Sequence, residues 1–153
     1  FLIKARNQTL LSYMNRLIDQ LNNWISIDGI HEIVLVIKDQ STQQTLERWQ
    51  FKIDLEGENN LGKEADEIEK EIRALMRHIT SVFTFLPLSE SKKCFDVVVY
   101  VREEVVLSNL ETIRKTWNDS EQFLIASGGS VALRNFSTQL HSVNTSVTYR
   151  LTE

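Results

Sequence analysis

The sequence predicts an α+β domain in which a mostly antiparallel sheet packs on helices. Two long segments carry apolar residues at helical spacing, and several shorter segments are either continuously apolar or alternate between apolar and polar residues. The 153 residues, of which 42% are hydrophobic and 25% charged, have the size and composition of one globular domain. Since no linker, repeat or low-complexity tract divides the sequence, residues 1–153 are expected to form a single domain.

The helices are predicted near the start and in the middle of the chain. Residues 9–25 place their apolar side chains on one stripe, with Asn7 or Thr9 as the cap and a turn at Asp28 as the end. A second helix is expected at about 64–83, where an acidic first half and a more basic second half suit the helix dipole. Its buried stripe is predicted to be Ala65, Ile68, Ile72, Leu75, Met76, Ile79 and Phe83.

Three strands are predicted in the body of the sheet. The segment "IVLVI" (33–37) is apolar on both faces, which is typical of a covered central strand. Residues 48–55 alternate between apolar and polar side chains, and "CFDVVVYV" (94–101) is mostly apolar.

The stretch "LERWQF" opens the second of these strands. Trp49 and Phe51 are predicted to lie in the core, whereas Glu47 and Arg48 are expected to be solvated or paired across the hairpin.

The C-terminal third is less regular. Residues 102–126 show only a hint of a helical turn, with Trp117 and Phe123 as isolated aromatic residues, and "SGGS" (127–130) is interpreted as a flexible turn. Two final strands are expected to form a hairpin that turns at His141-Ser142. The second strand places five side chains on one face: Val143, Thr145, Val147, Tyr149 and Leu151.

The motifs predict a binding module without catalytic residues, metal or cofactor. His31, His78 and His141 have no ligand-like spacing to one another or to Cys94, and no phosphate-binding loop or nucleophile motif is present. The lone cysteine fits a reducing compartment and is interpreted as structural. The net charge of -4 argues against nucleic-acid binding, and no apolar run is long enough to suggest membrane insertion. An enzyme whose site the sequence does not reveal is kept as an alternative.

Several pieces of the sequence, in order, resemble the HORMA domain of mitotic-arrest-deficient (MAD) two-type spindle checkpoint proteins. These pieces are "LERWQFKIDLE" after "IVLVIKD", "EIRALMRHIT" before "FTFLPL", "CFDVVVY" and "VALRNFSTQLHSVNTSVTYR". The resemblance implies a HORMA-like fold with a mobile C-terminal safety belt that switches between an open and a closed form. It implies a function in the spindle assembly checkpoint, where the protein inhibits anaphase onset.

The resemblance also implies a binding site, in which the closed form entraps a short peptide along an exposed edge strand. The peptide would pair with Phe95, Asp96, Val97, Val98, Val99, Tyr100 and Val101. The belt would run from about Glu104 through Phe136, and the mobile hairpin would continue to Leu151. Together they would include Trp117, Phe123, Val131, Leu133, Phe136, His141, Val143, Val147 and Tyr149.

Three partners are implied in the same way: a MAD-one-type kinetochore scaffold, the coactivator of the anaphase-promoting complex, and a second copy of the protein. Open and closed copies would dimerise through the central helix at Arg77 and its neighbour His78. The family has Gln at the second position, and a histidine there would add pH sensitivity near neutrality. The implied locations are the nucleus, the kinetochore and the cytoplasm.

Two departures from the family pattern bear on these expectations. The family has a further helix and short strands ahead of the segment that resembles Phe1 onward, so the chain is expected to lack them. The segment 102–120 is longer than the checkpoint pattern and is similar to the matching stretch of the HORMA subunit of translesion DNA polymerase zeta. An adaptor of polymerase zeta or of the meiotic chromosome axis is therefore the alternative function.

Overall fold

The computed structural model describes residues 6–56, 63–88 and 90–151, which form three helices and an antiparallel sheet. The elements are α1 (Gln8–Ile25), β1 (Ile30–Asp39), β2 (Thr45–Leu55), α2 (Ala65–Val82), β3 (Lys93–Val101), α3 (Glu103–Thr116), β4 (Gly128–Ala132), β5 (Phe136–Ser137) and β6 (His141–Arg150). The strand order is β3-β1-β2-β6-β4, with β5 paired to β6, and every described pairing is antiparallel. The predicted α+β class is confirmed.

Helix α1 has the predicted limits. Asn7 is its N-cap, and the Asn7 Oδ1 atom accepts a hydrogen bond from the backbone N–H of Leu10 at 3.1 Å. The helix ends where the N–H of Gly29 donates to the carbonyl of Trp24 at 2.7 Å, after Asp28 has adopted a φ of 52°. A short-chain aspartate tolerates this left-handed conformation better than most residues, which explains the turn.

Helices α1 and α2 cover the same face of the sheet. Trp49 and Ile53 are four residues apart on β2, so their side chains point to one side. Trp49 packs with Leu75 of α2 in one core cluster, and Ile53 belongs to a second cluster that includes Trp24 of α1. The predicted core positions of Trp49 and, half-buried, Phe51 are confirmed.

Part of the apolar stripe that was predicted to be buried on α2 is exposed to solvent. Leu75 is 4% exposed, but Ile72, Met76 and Phe83 are 39%, 51% and 54% exposed. Among the described residues, the helix joins the core through Leu75, Ile79 and Val82, which explains why the rest of the stripe stays open.

Arg48 is buried, so the prediction that it is solvated or paired was wrong. It is 7% exposed, and its Nε atom has no hydrogen-bond partner among the described residues. Arg48 lies between Val36 of β1 and Thr148 of β6 on the sheet face opposite the helices. Val34 and Val36 of β1, which share this face with Arg48, are fully buried, so that face is also shielded from water at its centre.

Glu47 is paired, but not with the strand across the hairpin. Its carboxylate accepts a hydrogen bond from Trp49 Nε1 at 2.8 Å and lies 3.9 Å from Lys93 Nζ of β3. Strand β1 lies between β2 and β3. The side chains of Glu47 and Lys93 are long enough to reach across it.

The two glycines of "SGGS" lie within a strand, so the interpretation as a flexible turn was wrong. Gly128 and Gly129 pair with Arg150 and Tyr149 of β6, and neither has a positive φ. A Cβ atom on Gly128 would come within 2.2 Å of the Tyr149 carbonyl oxygen, and one on Gly129 within 2.3 Å of the Tyr149 ring. The glycines are therefore needed for close approach of the strands.

The predicted hairpin turn at His141-Ser142 was also wrong. Both residues lie inside β6, where they pair with Leu55 and Asp54 of β2. The actual connection runs through residues 133–140 and includes the short strand β5. The period-two pattern of β6 is confirmed, since Val143, Thr145 and Val147 are buried and Tyr149 is half-buried, although Leu151 lies beyond the strand and is 60% exposed.

Candidate functional site

Strand β3 forms one edge of the sheet. It contains all seven residues from Phe95 to Val101 that the resemblance assigns to peptide pairing. Its inner side pairs with β1, for example Val97 with Leu35, with one register irregularity between Ile30 and Glu32 of β1, and no described strand lies on its outer side. In an antiparallel strand, alternate backbone N–H and C=O groups point outward, so this edge offers a row of partners to an added strand.

Trp117 marks the helix side of this edge. It follows α3, and its N–H donates to the carbonyl of Ile113 at 2.8 Å. The centroid of its ring lies 5.0 Å from that of Trp24 on α1. Trp117 is therefore not an isolated aromatic residue, as the sequence suggested, but is fixed against the helix layer.

Phe123 marks the opposite side of the same edge. Its ring centroid lies 5.1 Å from Lys38 Nζ, and this ammonium group also lies 2.5 Å from Asp96 Oδ2. Asp96 is opposite Val36, whose neighbours Leu35 and Ile37 pack on the helix side. The Lys38–Asp96 pair, and Phe123 with it, consequently lie on the face without helices.

Residues 117–123 thus pass from the helix side of the sheet, around the outer edge of β3, to the other face. At Phe123 the backbone φ is 49°, an unusual conformation for an aromatic residue that costs about 1–2 kcal/mol. We call residues 117–127 the strap. Beyond Phe123 it continues to β4, which forms the opposite edge of the described sheet.

Three cavities follow the strap around the edge. One of about 290 Å³ is lined by residues 97–101 of β3 and by 117–122, and one of about 680 Å³ opens between β3, the strap and α1. The third, of about 720 Å³, lies on the other face between the strap and Lys38. Open space therefore lies beside the strap on both faces of the sheet.

The structure divides the predicted site residues into two groups. Residues 95–101, Trp117 and Phe123 surround the free edge of β3. The remaining belt and hairpin residues lie in or beside the part of the sheet built around β6, far along the strand order from β3: Val131, Leu133, Phe136, His141, Val143, Val147 and Tyr149. The sequence did not reveal Trp24, Lys38 or α3 as neighbours of the edge, because their contacts depend on long-range packing.

Helix α2 holds the connection between β4 and β6 by polar contacts. Glu71 Oε2 accepts hydrogen bonds from Lys63 Nζ at 2.6 Å and from the backbone N–H of Ser137 at 3.0 Å. Lys63 Nζ also donates to Ser137 Oγ at 2.7 Å. The Lys63 ammonium and the Ser137 amide together hold the pKa of Glu71 below its ordinary value. We call these three residues the α2 clasp.

The two residues implied in dimerisation lie further along α2. Arg77 is exposed, and His78 is half-buried with its Nδ1 atom accepting a hydrogen bond from the backbone N–H of Arg134 at 3.1 Å. With Ala74 and Ser81 these residues line an open hollow of about 440 Å³. The hollow joins α2 to the C-terminal connection on the surface.

The described residues contain no group of three or more histidine, cysteine and acidic side chains placed to hold a metal ion. Cys94 is half-buried at the start of β3. Hydrogen bonds from the hydroxyls of Ser41 and Ser91 and the backbone of Thr42 hold the pKa of the Asp39 carboxyl group below its ordinary value. Its side chain accepts from Ser41 and Thr42 in the turn after β1, which is a structural role. None of the helices that the structure describes is long and apolar enough to cross a membrane.

Comparison with known proteins decides the family. No family model matches the chain. The mitotic spindle checkpoint component mad2 of Schizosaccharomyces pombe is 32% identical over 151 residues, which cover 95% of this chain and 71% of the relative. The chain belongs to the Mad2 family. Human spindle assembly checkpoint protein MAD2A is 31% identical over 155 residues, which cover 98% of this chain and 73% of the relative.

Solved structures agree with the Mad2 assignment. A chain in the crystal structure of a mitotic checkpoint complex superposes with a TM-score of 0.83 at 30% identity, covering 96% of this chain and 77% of that one. Caenorhabditis elegans HTP-1, bound to a HIM-3 closure motif, superposes with a TM-score of 0.73 at 15% identity over 97% and 72% of the two chains, which shows the shared fold alone. The fold is a HORMA domain, and this Mad2-family chain functions in the spindle assembly checkpoint.

Proposed function

We propose that this protein acts in the checkpoint by entrapping a short peptide between β3 and the strap. The observation that carries the proposal is the free outer edge of β3, which the strap encircles from Trp117 to Phe123 with open space between them. An extended peptide would add to the sheet here, with main-chain hydrogen bonds supplying affinity and side-chain pockets supplying choice.

The arrangement of the C-terminal strands supports a closed, peptide-accepting form. Strand β6 pairs with β2 and β4, on the side of the sheet remote from β3, over nine and five residue pairs respectively. In the open form, the resemblance implies, the C-terminal segment takes another position. Rearrangement would require release of the α2 clasp and of the hydrogen bond from Arg134 to His78.

The proposed partners are a MAD-one-type kinetochore scaffold and the coactivator of the anaphase-promoting complex, whose capture would delay anaphase. Family membership and the superposition on a chain of the mitotic checkpoint complex support these partners and action at the kinetochore, in the nucleus and in the cytoplasm. The two sequence relatives described above, from Schizosaccharomyces pombe and human, are both named as checkpoint components, which favours this function over polymerase zeta or the meiotic axis.

Self-association through α2 forms part of the same proposal. Arg77 is exposed beside the hollow that Arg134 and His78 also line. The hydrogen bond from the backbone N–H of Arg134 to His78 Nδ1 attaches the C-terminal connection to the same region of α2.

The experiment uses fluorescence anisotropy with labelled peptides from the scaffold and the coactivator, each in three forms. One form is unmodified, and the other two carry N-methyl groups on alternate residues in the two opposite phases. A strand added to β3 uses the N–H groups of only one phase. We expect one methylated form to lose binding and the other to retain it.

Other outcomes would contradict either strand pairing or the checkpoint partners. If both methylated forms bind as well as the unmodified peptide, the peptide does not pair as a strand. If neither unmodified peptide binds, while a polymerase-zeta motif does, the checkpoint partners are wrong and the edge-strand site still holds. A Trp117→Ala variant, with Leu107→Ala as the exposed control, tests whether the strap contributes.

A further inference from the structure

The end of the strap at Phe123 is held by side chains and not by backbone hydrogen bonds. Among the described residues, 118–124 make no backbone hydrogen bond to the sheet, and the Ser120 hydroxyl donates to the adjacent carbonyl of Glu121 at 3.1 Å. The other end is different, because Trp117 is tied to α3 by its backbone N–H and packs on Trp24. Attachment of the strap to the helix-free face therefore depends on what its side chains contact there.

Phe123 reaches that face without joining the apolar core. It is half-buried, yet it belongs to neither core cluster formed by the described residues and stacks on no other ring among them. Its φ of 49° is unfavourable for an aromatic residue, so bending the strap at this point costs free energy. The ammonium group of Lys38, 5.1 Å from the ring centroid, supplies an attraction that offsets this cost.

Asp96 places the Lys38 ammonium group for this contact. Lys38 of β1 is opposite Cys94, so Asp96 is its diagonal neighbour on the same face of the sheet and within reach of a long side chain. Lys38 Nζ and Asp96 Oδ2 are 2.5 Å apart, and the Lys38 side chain is 12% exposed. A cation that is largely removed from water attracts an aromatic ring more strongly than an exposed one. The ion pair therefore fixes a shielded cation at the face of the Phe123 ring.

The charge of Lys38 also suits the rest of the strap. Asp119 and Glu121 line the cavity of about 720 Å³ together with Lys38, which is the one basic residue among the described residues of that lining. Loss of the ammonium charge would leave acidic groups on the strap and on β3 without a counter-charge between them. Both the ring and the carboxylates of the strap thus favour a cation at this position.

From these contacts we infer that Lys38 fastens the strap across the edge of β3. With Asp96 orienting its ammonium group, Lys38 holds the Phe123 ring on the helix-free face and keeps the strap closed. A second consequence, that Lys38 sets the lifetime of a captured peptide, rests on the proposed peptide capture. Lys38 is a positioning residue, because it acts on the partner through the strap.

The first test is limited proteolysis of the full chain without a partner, using a protease that cuts after glutamate. Cleavage of the Glu121–Gln122 bond requires several residues on each side to be extended and detached, so its rate reports opening of the strap. Lys38→Met keeps an unbranched side chain and removes the charge. We expect it to raise this rate by about twofold to thirtyfold, the range for a cation–π contact, and Lys38→Arg to restore the wild-type rate.

Two controls separate opening of the strap from general loss of stability. Lys52→Met removes an exposed lysine from the same face of the sheet and should leave the rate unchanged. Cleavage after Glu47, which lies inside β2, reports global unfolding in the same digest and should stay slow in every variant.

A change in the ring distinguishes attraction to the charge from apolar packing. Replacing Phe123 by pentafluorophenylalanine keeps an apolar ring and reverses its quadrupole, so cleavage after Glu121 should accelerate as in Lys38→Met. This variant retains Lys38 and Asp96, and it provides the test if Lys38→Met does not fold. Equal rates in Lys38→Met and Lys52→Met, or a wild-type rate in the fluorinated chain, would overturn the fastening role.

Peptide dissociation tests the second consequence. A labelled scaffold peptide is bound and then displaced by excess unlabelled peptide, with release followed by fluorescence anisotropy. Lys38→Met should shorten the lifetime by about the factor seen in proteolysis, and Lys52→Met should not. An unchanged lifetime in a chain whose strap is cut faster would overturn control of release by Lys38. A wild type that binds neither the scaffold nor the coactivator peptide would overturn peptide capture, while proteolysis still decides the fastening role.

Discussion

The α2 clasp gives the sharpest prediction about stability, for the substitution Glu71→Gln. The substitution keeps the shape of the side chain and removes its charge. The Ser137 N–H bond to a charged acceptor is worth about 1.5–3 kcal/mol, against about 0.5–1.5 kcal/mol for a neutral one, so about 1 kcal/mol is lost there. The Glu71 side chain is 40% exposed, so its ion pair with Lys63 adds at most about 1 kcal/mol.

We therefore expect Glu71→Gln to lower the free energy of unfolding by about 1–2 kcal/mol in urea titrations. Glu69→Gln is the matched control on the same helix. Glu69 pairs with Arg73 at 2.5 Å, but the two side chains are 60% and 69% exposed, and an exposed pair of this spacing is worth only about 0.3–0.5 kcal/mol. Hydrogen exchange of the Ser137 amide should accelerate in the first variant alone.

The same comparison has a predicted pH dependence. The pKa of Glu71 is lower in the folded than in the unfolded chain, so the clasp stabilises the fold fully above the ordinary pKa of glutamate. This contribution is lost as the pH falls through the folded-state pKa. The difference in the free energy of unfolding between wild type and Glu71→Gln should then shrink from about pH 4 downward. Equal effects of the two substitutions, or a difference that grows on acidification, would refute this account of the clasp.

Three further substitutions test other parts of the structure. Gly128→Ala places a Cβ atom within 2.2 Å of the Tyr149 carbonyl oxygen, so we expect a loss of about 1–3 kcal/mol in thermal unfolding, and an unchanged melting temperature would contradict the close packing. Arg48→Met removes a buried guanidinium whose Nε is unpaired among the described residues, so urea titration should show unchanged or higher stability; a large loss would mean that the charge is compensated. Arg77→Glu should abolish dimers in analytical ultracentrifugation without lowering the melting temperature, because Arg77 is exposed, whereas persistent dimers would exclude this face of α2.

Local periodicity predicted the helices and strands whose apolar pattern is visible within a single segment of the sequence. The apolar stripe of α1 and the alternation around Trp49 follow from whether a residue faces the core, and both were recognised in the sequence. The free edge at β3 was expected only through the family resemblance, since strand order depends on contacts between distant segments. A single strand pattern does not show what lies beside it.

The failures arose where tertiary contacts overrode local preference. Gly128 and Gly129 have the composition of a turn, yet they form a strand because Tyr149 leaves no room for a side chain. Arg48 occupies the polar position of an alternating strand, but its face of the sheet is buried at the centre, as the full burial of its partner Val36 shows. Phe123 gives no local sign of its positive φ, which is set by the path of the strap over Lys38.

The path of the strap has a topological consequence for release. Trp117 and Phe123 are fixed on opposite faces of the sheet, and the chain continues from them into α3 and β4. A long partner captured along β3 would pass through a closed loop formed by the sheet, the strap backbone and the packing of Trp117 and Phe123. It could leave only by sliding out endwise or after the packing of one of these two residues was broken. Different long partners should then share one dissociation rate, set by the opening of the loop, while their equilibrium affinities differ through their rates of capture.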